Sequence, residues 1–172
     1  MIKTSASHME DLGKEIMSIR SLCVRGKLVL LLTACFSIVY ISWLFLRPIL
    51  IVAVHQRSNY SDILVKNFPA TDKRKIQWWF ENKDKLKTQY NIPQPASYGS
   101  FTVTFWLFGD GYQEEGKYDR LCFDDMPTKK NCIDKNSLMM VRYAKNTGLS
   151  FRLDGGVYRI KGNGEMIKEK YK

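Results

Sequence analysis

Leu28-Val-Leu-Leu-Leu-Thr-Ala-Cys-Phe-Ser-Ile-Val-Tyr-Ile-Ser-Trp-Leu-Phe-Leu46 is a run of nineteen residues without a charge, a proline or a glycine. As a helix rising about 1.5 Å per residue it would reach about 28 Å, close to the thickness of a bilayer's hydrocarbon core. A helix satisfies its own backbone hydrogen bonds, so it can cross lipid where an open strand cannot. Lys27 and Arg47 bracket the run and can lift their charges to the interface. Trp43 falls where an interfacial aromatic belt is expected. The sequence therefore predicts a transmembrane helix over 28–46.

Three fates are open to this segment. A cleaved signal peptide has a shorter apolar core and a small-x-small cleavage site, and Trp43-Leu-Phe-Leu-Arg-Pro48 offers none. Leu32-Thr-Ala-Cys35 fits a lipoprotein signal, but cleavage there would leave a long apolar run at the new N-terminus. An uncleaved anchor fits best. Arg20, Arg25 and Lys27 precede the span and Arg47 and Arg57 follow it, a mild bias that puts the N-terminus inside. Met17 offers an alternative start that would keep all three preceding basic residues. The expected organisation is a cytoplasmic tail over 1–27, the anchor over 28–46, and a periplasmic α+β domain over 48–172.

Cysteine usage bears on the compartment. Cys122 and Cys132 are close enough in sequence to close a short polar loop. A bridge there would add about 3 kcal/mol and would persist only in an oxidising compartment. Two unpaired thiols are the alternative.

Outward from the anchor, Arg47-Pro48 stops the helix. Ile49-Leu-Ile-Val-Ala-Val-His55 reads as a strand with no linker before it, and Ser61 to Phe68 as its hairpin partner. Thr71 caps a helix to about Tyr90, with Asp72 in its first turn. Ile76, Trp79, Phe80, Leu86 and Tyr90 line one face of that helix. Ser100 to Phe108 is the strongest strand and is expected to be central. Lys117 to Phe123 is shorter, and 124–137 reads as a polar loop. Four further segments, 138–143, 149–153, 157–161 and 165–168, are separated by glycine-rich turns. The expected domain is an antiparallel sheet of six to eight strands with one packed helix.

Catalytic signals are thin. His8 lies in the polar tail, and His55 ends a strand, where a satisfied imidazole is the plainer reading than a general base. Phosphate loops, CxxC pairs and HExxH spacing are missing from the sequence, so no cofactor or metal is expected. Asp110, Glu114, Glu115, Asp119, Asp124 and Asp125 form an acidic patch interleaved with basic residues. Its spacing matches no calcium loop, and a solvated surface is the plainer reading. The net charge of +10 is scattered, densest at Lys73, Arg74 and Lys75. Nucleic acid would suit the sign but not the compartment, whereas lipid headgroups or plain solvation suit both. Trp78 lies off the apolar stripe, and either an interface or packing under a loop accounts for it.

Several strings also resemble a known family. They include Arg47-Pro-Ile-Leu-Ile-Val-Ala-Val-His55, Asn59-Tyr-Ser-Asp-Ile-Leu-Val-Lys-Asn67-Phe-Pro69, Trp78-Trp-Phe-Glu-Asn-Lys83 and Tyr118-Asp-Arg-Leu-Cys122-Phe-Asp-Asp-Met126. Together they resemble the enterobacterial putative membrane protein family, a domain of unknown function numbered nine-four-three. The resemblance implies a bacterial inner-membrane protein with one span, and it supplies no activity or site residues. The expected function is a non-catalytic binding module at the bilayer with a protein partner in the envelope. Its sharpest form is an immunity-like protein. Alternatives are an accessory subunit of an envelope or transport complex, or an envelope hydrolase using His55 or the acidic loop.

Overall fold

The computed structural model describes residues 27, 29–43, 47–117, 119–161 and 164–169, which fall into two compact units, Met1–Arg47 and Pro48–Lys172. In the first unit, residues 29–43 form a helix, α1. Its apolar side chains are exposed, among them Leu30, Phe36 and Val39. Its hydroxyls fold back onto the helix, Thr33 donating to the carbonyl of Leu30 at 2.9 Å and Ser37 to that of Thr33 at 2.8 Å. Such back-bonding satisfies the polar groups without water. The Arg47 guanidinium lies 3.9 Å over the Trp43 ring. Leu28, Leu44, Phe45 and Leu46 of the expected span, and the tail over 1–26, lie outside the described residues. Among the described residues no helix is long and apolar enough to cross a membrane.

In the second unit, β1 (Leu50–Arg57) and β2 (Tyr60–Lys66) form the expected antiparallel hairpin. Helix α2 (Asp72–Tyr90) follows, capped by the Thr71 hydroxyl and ended by Asn91 in the left-handed conformation. Then come β3 (Phe101–Leu107), β4 (Gln113–Glu114), β5 (Arg120–Cys122) and β6 (Lys130–Asp134). The chain continues through β7 (Ser137–Ala144), β8 (Gly148–Leu153), β9 (Gly156–Ile160) and β10 (Met166–Glu169). Seven strands make one sheet in the order β1-β2-β3-β7-β8-β9-β10, and β4-β6-β5 make a second.

Two expectations need correction. The large sheet is mixed rather than antiparallel, because β2 and β3 run parallel. The nineteen-residue α2 lies between them and carries the chain back to the end where β2 began. Residues 124–137 are not all loop, since Lys130–Asp134 form the middle strand of the small sheet. Strand β3 is interior, as expected, flanked by β2 and β7.

Alternation along the strands separates two apolar clusters. Ile63, Val65, Val103 and Phe105 face α2 and pack with Ile76, Trp79 and Leu86. Leu64 points the other way and packs with Phe123 and Ile133 of the small-sheet region. A bulge in β1 between Ile51 and Ala53 adds one residue. Ile51 before it packs on the helix side, whereas Ala53 after it joins the opposite cluster. The bulge thereby sends His55 to the face covered by the small sheet.

Candidate functional site

His55 is 8 % exposed and stands opposite Asp62 in the β1–β2 ladder. Two segments, 109–112 and 123–126, close around it. Phe123 follows the last residue of β5 and stacks flat on the imidazole, centroids 3.8 Å apart and planes 12° apart. A turn then brings the Met126 N–H back to the Phe123 carbonyl at 3.2 Å, which swings Asp125 toward the ring. Both Asp125 carboxylate oxygens lie within 2.9 Å of His55 Nδ1. From the other side, Gly109 and Gly111 take positive φ and turn the chain after β3, so that Tyr112 Oη meets His55 Nε2 at 2.7 Å.

A carboxylate only accepts, so Nδ1 presents a hydrogen to Asp125, and the Tyr112 hydroxyl, which can both donate and accept, shares a hydrogen bond with Nε2. The Tyr112 phenol is raised above its ordinary range by burial and by the negative charge of Asp125, which keeps it a donor. The order carboxylate, imidazole, hydroxyl is that of a hydrolytic triad with Tyr112 in the nucleophile's place. A phenol held in its neutral form is a poor nucleophile, and this one gives up its proton less readily than an ordinary phenol. The network ties the disulfide-closed segment to the large sheet.

Beside this network lies a cleft of about 270 Å³ lined by His55, Arg57, Asp62, Phe123, Asp124 and Asp125. Asp62 accepts from the Trp106 indole at 2.7 Å. Burial raises its carboxyl above the ordinary value. The Trp106 bond and the charges of Arg57 and His55 pull the other way, and Asp125 adds to the rise. Among the described residues no cluster of three or more ligand-type side chains could hold a metal ion.

Cys122 and Cys132 are bonded, facing each other across β5 and β6. Phe123 and Asn131 close the same loop, the N–H of Phe123 donating to the Asn131 carbonyl and the Asn131 amide to the Phe123 carbonyl.

The residues singled out on α2 divide. Lys73 and Arg74 are exposed. Lys75 does not share that surface. It is 4 % exposed, its ammonium donates to the Leu138 carbonyl at 2.9 Å, and Asp154 lies 3.8 Å away. It serves the sheet rather than a partner. Trp78 is half-buried, edge-on to Phe68 and Phe105 at 5.5 and 5.6 Å. Its off-stripe position is thus explained by packing under the segment after β2. The Asp125–His55–Tyr112 network was not legible as a unit. Its one sequence signal is the glycine pair before Tyr112, which marks a tight turn at the end of β3.

Residues 24–170 match the family described as enterobacterial putative membrane protein (DUF943). The chain belongs to this family. The match takes in the described helix α1 and nearly all of the sheet domain, so the family is defined over both units. No curated protein and no solved structure matches the chain.

Proposed function

We propose that this family member is a single-pass inner-membrane protein, with its N-terminus in the cytoplasm and a periplasmic domain that binds a protein partner and catalyses no reaction. The anchor reading is supported by the uncharged run over 28–46 and by the exposed apolar side chains of α1. Export of the domain is supported by the Cys122–Cys132 bond, because reducing compartments keep such thiols apart. The observation that carries the non-catalytic reading is the state of His55. The hydroxyl that meets its Nε2 is a phenol raised above its ordinary range, which parts with its proton reluctantly, and Phe123 covers the ring face.

The sharpest form of the reading is an immunity-like protein that retains a secreted toxin at the membrane. It is supported by the small domain and by a first strand that begins three residues after Arg47. Purification of the full-length protein in mild detergent, with mass spectrometry of what accompanies it, tests the binding reading. A stoichiometric polypeptide is the expected result, and none under any mild condition overturns it. A reporter fused after Lys172 should be active only outside the cytoplasm, and cytoplasmic activity overturns the topology. Turnover of any envelope ester or amide that His55→Ala abolishes would overturn the non-catalytic reading.

A further inference from the structure

The small sheet covers only one end of the large one. Its cluster packs on Ala53, Leu64 and Trp106, which belong to β1, β2 and β3. Along the same face, the ladder pairs Tyr60 with Thr102, Thr102 with Arg142, Arg142 with Ser150, and Ser150 with Arg159. Paired residues share a face, so these five side chains form one row opposite the side that α2 covers. Arg152 lies two residues beyond Ser150 on β8 and joins them. Arg142 and Arg159 flank Ser150 on the two neighbouring strands, about 10 Å apart across the sheet. Arg142 and Arg152 are exposed.

The charge on this face is lopsided. Glu169 pairs with Arg159 at 2.9 Å. Among the described residues neither Arg142 nor Arg152 has an ion-pair partner. At the end of the row the surface dips into a cavity of about 400 Å³ lined by Tyr60, Tyr98, Thr102, Arg142 and Lys145. Tyr60 and Tyr98 at its rim are 55 % and 62 % exposed. Arginine and tyrosine are the side chains that protein interfaces enrich, whereas lysine is depleted there. A guanidinium also presents a planar fork that fits a carboxylate with two parallel bonds.

We propose that the bare face of β7, β8 and β9, with the tyrosine-lined cavity at its margin, is the docking surface for an acidic protein partner. Asp and Glu of that partner pair with Arg142 and Arg152, and an anchor side chain enters the cavity between Tyr60 and Tyr98. This rests on the reading of the domain as a protein-binding module and names the surface and the partner's chemistry. It moves the interface away from Lys73 and Arg74 on α2.

The test uses the full-length protein in its membrane, carrying a photo-crosslinking residue at Ser150 or at the exposed Gln77 of α2. The expected result is a protein crosslinked from Ser150 through a peptide rich in Asp and Glu. Arg142→Glu with Arg152→Glu should cut that yield about tenfold or more. Labelled poly-L-glutamate, offered to the purified protein in detergent, should lose affinity by a similar factor in the same double variant. Lys73→Glu with Arg74→Glu should leave it bound. Crosslinks from Gln77 alone overturn this face while leaving protein binding intact, and no crosslinked protein from either position overturns both. Crosslinks from Ser150 to lipid, or equal losses of polyglutamate in the two double variants, also overturn the proposal, in favour of a membrane surface or of net charge.

Discussion

Replacing both bridged cysteines, Cys122→Ser with Cys132→Ser, removes a closed loop whose ends are ten positions apart. In the chain-entropy account, a loop of about ten residues lowers the freedom of the unfolded chain by about 3 kcal/mol near room temperature. The unit Pro48–Lys172 has an unfolding entropy of about 260 cal/mol/K at typical per-residue values. The double variant should therefore melt about 10 °C below the wild type. It should still fold at 25 °C, because a domain of this size commonly holds 5 to 15 kcal/mol. The assay is thermal unfolding of the full-length protein in mild detergent, followed by near-ultraviolet circular dichroism without reductant. Wild-type protein treated with reductant should shift by the same amount. A shift below about 3 °C would refute the reasoning. It would mean that the segment between the cysteines is constrained in the unfolded chain, or that other contacts set the melting point.

Three further outcomes follow from the site and its supports. The folded-state carboxyl of Asp62 is raised above its unfolded value of 3.8. Its contribution is present below about pH 4 and is lost as the pH rises through the raised value. Asp62→Asn should thus gain stability relative to wild type between acid and neutral pH, as read from melting temperatures across that range, and an unchanged difference would count against the burial argument. His55→Ala should destabilise by about 2 kcal/mol by leaving a gap against the buried Phe123 ring and removing the bonds to Tyr112 and Asp125, with faster hydrogen exchange at Met126 as its local sign. Lys75→Ala should cost about 2 kcal/mol in urea unfolding by leaving the Leu138 carbonyl without its donor, whereas Lys73→Ala on the surface should cost almost nothing.

The sequence announced most elements through period alone. The Phe101–Leu107 alternation marked an interior strand, and Thr71 with Asp72 marked the start of α2. What periodicity does not carry is pairing direction. Nothing local in Tyr60–Lys66 or Phe101–Leu107 says that they run parallel, because that follows from where a nineteen-residue helix delivers the chain. Period also fails at a bulge. A strict alternation through Ile51, Ala53 and His55 would put all three on one face, and the extra residue at Val52 sends Ile51 to the opposite face from the other two. The short strand Lys130–Asp134 was hidden because its charged ends read as loop, and only pairing to β5 beside the disulfide makes it a strand. Lys75 differs from its charged neighbours for a related reason: charge alone points to water, while its stem and ammonium are taken up by the sheet beneath.

The strand order has a mechanical consequence. The first strand of this unit, β1, and the last described strand, β10, are the two outer strands of a seven-strand sheet. At about 4.8 Å per strand, they lie about 29 Å apart. Tension applied between the two ends of this unit would run across the strands and load their ladder bonds in succession from the margins, like a zip, instead of shearing all of them together. Held by one end and tugged by the other, such a domain should yield at low force and in steps.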